Sequence, residues 1–109
     1  MAHKFVVRSK LPVRVKGELV GEDGKPVQID FNLRCKRLTQ DEVDTENKGV
    51  PIKDFIRKVA EGWDDVLDEQ NQPLPFSAEN LDAVMNNDVG MANVMFQSYL
   101  KAAGAVAKN

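Results

Sequence analysis

Val27-Gln28-Ile29-Asp30-Phe31-Asn32-Leu33-Arg34-Cys35 alternates apolar and polar residues without a fault. Successive side chains of a strand point to opposite faces, so a period of two buries one face and wets the other. Such a strand needs a neighbour, and the sequence supplies one just upstream. Val13, Val15, Gly17 and Leu19 alternate with Arg14, Lys16, Glu18 and Val20. The link Gly21-Glu22-Asp23-Gly24-Lys25 has hairpin length, and its Asp-Gly pair suits positive φ. The expectation is an antiparallel β-hairpin with one wet face. Residues 4–8 form a further short apolar run, which Leu11-Pro12 is expected to break.

Downstream the period changes. Thr39-Gln40-Asp41-Glu42 has the T-x-x-E form of a capping box and predicts a short polar helix fraying near Asn47-Lys48-Gly49. A second helix is expected behind Pro51, because a first-turn residue does not need its amide hydrogen. Ile52, Phe55, Ile56, Val59, Ala60 and Trp63 then make one helical stripe with Trp63 as its last rung. Val66, Leu74 and Phe76 read as apolar pins of the connection that follows, and Pro73 and Pro75 stiffen it. Ser77 caps a third helix through Asn86, with Leu81, Val84 and Met85 inside. Asp88 is expected to cap the last helix, from Val89 to about Ala103. Its stripe is read as Val89, Ala92, Phe96, Tyr99, Leu100 and Ala103, stopped by Gly104. The fold class is α+β: an N-terminal antiparallel hairpin or small sheet followed by three to four helices. A single domain spans residues 1–109, with the β part at 1–38, the helical part at 39–104 and a loose tail at 105–109.

The chain of 109 residues is 42% hydrophobic and 29% charged with a net charge of −2, an ordinary globular balance. The first 37 residues carry nine of the 15 Lys and Arg. The hairpin's outer face offers Arg14, Lys16, Arg34 and Lys36, but Glu18 and Asp30 share it and no aromatic interleaves them. That argues against nucleic acid and for a solvated sheet face. No apolar run approaches the roughly 18 residues of a membrane span, and the N-terminus shows no signal-peptide core.

Chemistry is sparse. The lone Cys35 sits inward on a strand and reads as an inert buried thiol, while the lone His3 lies at a terminus and makes a poor relay. No metal-ligand spacing, calcium loop or phosphate-binding glycine pattern is present, so no catalytic residue, metal or cofactor is expected. Asp64, Asp65, Asp68 and Glu69 read as a solvated loop. Met91 and Met95, an i, i+4 pair, are placed off the main stripe of the last helix. Methionine surfaces repack against varied apolar partners, whereas a second buried face would use the same residues as filler.

Residues 54–109 resemble the tail assembly chaperones of long, flexible-tailed bacteriophages, of the lambda type. The order that carries the resemblance starts with Phe55 and Val59, then Gly62-Trp63-Asp64-Asp65-Val66 and the acidic turn Asp68-Glu69-Gln70-Asn71. Pro73-Leu74-Pro75-Phe76-Ser77 and Glu79-Asn80-Leu81 follow. The final helix bears Phe96-Gln97-Ser98-Tyr99-Leu100 and then Ala102-Ala103-Gly104. Asn71 stands where the family often has glycine, and asparagine tolerates left-handed geometry. The resemblance implies a non-catalytic binding protein that associates with the tape-measure protein and recruits tail-tube subunits. It would work in the host bacterial cytoplasm and be missing from the mature virion. Met91, Met95, Phe96 and Tyr99 are then the expected partner-facing residues. Self-association stays open, as does a frameshifted longer form, for which the Lys108-Asn109 codons could provide the slippery site. The alternative is a structural head–tail connector or minor tail component of a phage or prophage.

Overall fold

Strands β1 (Lys10–Val20) and β2 (Pro26–Lys36) form the expected hairpin in a computed structural model that describes residues 2, 4–46 and 51–104. Their antiparallel register runs from Lys10 opposite Lys36 to Val20 opposite Pro26. The turn closes through Gly21 N donating to Lys25 O at 2.9 Å, with Gly24 at φ = 80°. β1 begins earlier than the sequence suggests. Leu11 is buried opposite Cys35, and Pro12 lies within the strand. Proline is tolerated there because β1 is an edge strand in the order β1-β2-β3. Residues 4–8 lie outside any strand.

The remaining elements are α1 (Gln40–Glu46), α2 (Ile52–Val59), β3 (Ala60–Asp64), α3 (Ala78–Asn87) and α4 (Met91–Ala102). The capping box of α1 forms as read: Thr39 N donates to Glu42 Oε1 at 3.0 Å and Glu42 N to Thr39 Oγ1 at 3.2 Å. These bonds hold the Glu42 carboxyl below its usual range. Ser77 caps α3 by accepting from Asn80 N at 3.0 Å. The fraying expected at residues 47–49 and the tail at 105–109 lie outside the described residues, as does His3.

One correction concerns Trp63. The helical stripe ends at Val59, and residues 60–64 leave α2 to become a third strand, antiparallel to β2. Leu33 faces Trp63 across the ladder, and a register shift falls between Arg34 and Cys35. Gly62 disfavours helix by about 1 kcal/mol relative to alanine, while β2 still has an unpaired edge at this point. Strand pairing wins, and the part of the chain read as purely helical supplies one strand of the sheet.

A single core sits between the sheet and the helices. Leu11, Val13 and Val15 of β1, Phe31, Leu33 and Cys35 of β2, and Trp63 of β3 form the sheet's buried face. α4 lies along β1 so closely that a β-carbon on Gly17 would stand 2.9 Å from Val94 Cγ1. Phe55 of α2 meets Phe96 and Tyr99 edge-on, at centroid distances of 5.1 and 5.2 Å. Arg57 Nε bonds Asp82 Oδ1 at 2.6 Å and ties α2 to α3.

Candidate protein-binding surface

The residues expected to face a partner are placed mostly inside. Met91, Met95 and Tyr99 are 6%, 0% and 1% exposed, and Phe96 is half-buried against Phe55. The methionines therefore line the core-facing side of α4, and the reading that set them off the stripe is corrected. Its cause is the helix start. Val89 is fully exposed and lies before α4, which begins after Gly90 at φ = 96°. Counting from Val89 keeps Tyr99 on the stripe but leaves off Met91 and Met95, which share its i, i+4, i+8 line. Asp88 contributes its backbone carbonyl, accepting from Met91 N at 3.2 Å, and no side-chain cap forms.

Tyr99 links α4 to the sheet's end: its hydroxyl donates to Lys36 O at 2.9 Å and accepts from Leu38 N at 3.1 Å. Burial raises its pKa above the ordinary value. Burial also pushes the Cys35 thiol up to about 12, so it is protonated and poorly nucleophilic at neutral pH.

The open sheet face is a charge ladder. Arg14 Nε pairs with Asp30 at 2.5 Å, Arg34 Nε with Asp64 at 3.7 Å, and Lys10 with Glu61 at 2.8 Å. The hydrogen bond between Arg14 and Asp30 raises the guanidinium and lowers the carboxyl. Two of the four cations considered for nucleic acid thus already have carboxylate partners, which reduces the charge available to phosphates.

The acidic stretch after β3 is built as a small turn. Asp68 Oδ1 accepts from Gln70 N and Gln72 N, both at 2.9 Å, and Asn71 takes φ = 60°. The left-handed geometry that asparagine tolerates is therefore used. Leu67 and Pro73 form an isolated antiparallel bridge, and Leu74 N donates to Val66 O at 2.8 Å. Trp63 Nε1 donates to Leu74 O at 2.7 Å and stacks edge-on with Phe76 at 5.0 Å. Val66, Leu74 and Phe76 pack on the core as expected. Among the described residues, no group of three or more His, Cys, Asp or Glu is arranged to hold a metal ion. No described helix is long and apolar enough to cross a membrane.

Some of the exposed apolar side chains lie at the far end of the hairpin. Val20 is 74% exposed, Val27 is also exposed, and Val20 and Val89 line one shallow depression with Leu19. Sequence reading missed this surface, because Val20 breaks the strand alternation in a way that only the exposed hairpin end makes meaningful. No protein-family model, curated protein or solved structure matches this chain.

Proposed function

We propose that this chain is a tail assembly chaperone of a long-tailed phage or prophage, a binding protein without catalysis. It holds the tape-measure protein, recruits tail-tube subunits in the host cytoplasm, and leaves before the virion is complete. The partner face moves from Met91, Met95, Phe96 and Tyr99 to the hairpin's end. The observation that carries the reading is the pair Val20 and Val89, two exposed apolar side chains lining one depression whose other sides include Glu18 and Asp88. A tape-measure chain exposes long apolar stripes before assembly, and a small apolar patch covers such a stripe reversibly without the permanence of a large interface. The resemblance lends support through residues 62–81, whose Trp63, Asn71 and Ser77 each hold a specific contact or backbone geometry.

The test is mass spectrometry of assembling lysates and of purified particles from the same phage. The chain is expected with the tape-measure protein in the lysate and missing from the particles. Its presence at fixed stoichiometry in particles would instead make it a connector or minor tail component.

A further inference from the structure

β3 is much shorter than β2 and pairs only along residues 32–35. Among the described residues, positions 26–31 of β2 therefore have β1 on one side and no strand on the other. The chain leaves that edge at Asp65, whose φ of 68° turns it out of the strand. Between the vacated edge and α3 lies a groove of ≈ 590 Å³. Ile29, Val66, Leu74 and Val84 give it apolar walls, and Asp65, Asp68, Glu69 and Asp88 lie around it; among the described residues no lysine or arginine lines it. An unpaired sheet edge offers its backbone N–H and C=O groups to an added strand. The carboxylates select a basic one.

The chain carries such a strand. Lys4-Phe5-Val6-Val7-Arg8 has three β-forming residues between two cations. Phe5 and Val7 are 83% and 81% exposed. We propose that residues 4–8 of one copy add as a strand to the free 26–31 edge of β2 in a second copy. Phe5 and Val7, two residues apart, enter the apolar groove from one strand face, and Lys4 and Arg8 meet the carboxylates at its rim.

A subunit cannot fill its own groove. Ser9 O accepts from Arg37 N at 3.0 Å, so the segment starts beside the opposite end of β2. Ile29 lies seven residues from Lys36, about 23 Å along the strand. Val6 is three residues from Ser9 and reaches at most about 11 Å. The contact is therefore made between copies and joins two different patches, so it extends or closes into a ring. This inference does not rest on the chaperone reading.

Sedimentation equilibrium of the full chain, from micromolar to near-millimolar concentration, tests it. The wild type is expected to associate, and less so at high salt because the charge contacts are screened. Phe5→Asp with Val7→Asp, and separately Leu67→Lys with Glu69→Lys, should each weaken association by more than about tenfold. These four side chains are exposed, so circular dichroism should show both variants folded; Glu69→Lys alone replaces the second pair if it unfolds. Mixed in equal amounts, the two variants should recombine into a one-to-one dimer, because each supplies the patch the other lacks. A wild type that stays monomeric throughout, association that survives either pair, or a mixture that does not recombine would overturn the proposal.

Discussion

The indole of Trp63 is buried, bonded to Leu74 O and set edge-on to Phe76, so one side chain fastens the strand end to the loop that follows it. Trp63→Ala is expected to cost about 3–5 kcal/mol in urea denaturation, from lost packing and the cavity left behind. Trp63→Phe should cost less, about 1–3 kcal/mol, since the Leu74 carbonyl loses its donor while most of the packing remains. Cys35 governs a different property. Its folded thiol titrates near 12 against an ordinary 9.0, so the stability it confers is complete below about pH 9 and is lost as pH rises toward 12. Tyr99 acts in the same direction above its ordinary 10.0. Denaturation midpoints should therefore fall on alkaline titration, and Cys35→Val should flatten the decline. Burial of both Trp63 and Cys35 was legible in the sequence, because each follows an apolar pattern. Their partners were not: the Leu74 carbonyl and the ladder to β2 depend on contacts distant along the chain.

Elements whose ends carry local chemistry were read closely. The hairpin turn, the Thr39–Glu42 box and the Ser77 cap all follow from side chains reaching backbone groups within a few residues. Ser77→Ala is accordingly expected to cost about 1 kcal/mol, measured as a lowered denaturation midpoint. Boundaries set by distant pairing or backbone geometry were misread. Helical spacing continued through Ala60 and Trp63, yet β2's unfilled edge turned those residues into β3. In α4, the positive φ at Gly90 moved the start past Val89 and brought the methionines into the core. Met91→Glu with Met95→Glu is therefore expected to unfold the protein, seen as loss of cooperative thermal melting, because two carboxylates would be buried without partners. Retention of a native melt would restore those methionines to the surface.

At the scale of the whole molecule, one face of a three-stranded sheet is sealed by helices and the other is a ladder of paired charges. The surfaces proposed for binding lie at the margins, at the hairpin's end and where β2 outruns β3. Composition could not locate these margins, because they arise from unequal strand lengths. The chaperone account places partner contact at Val20 and Val89, both exposed side chains. The most direct measurement is affinity isolation of the tagged chain from cells assembling tails, comparing wild type with Val20→Asp and Val89→Asp combined. The account predicts that the tape-measure protein co-isolates with the wild type and is reduced more than about tenfold with the variant, while both chains stay folded. Recovery of wild-type chain without the tape-measure protein would contradict it.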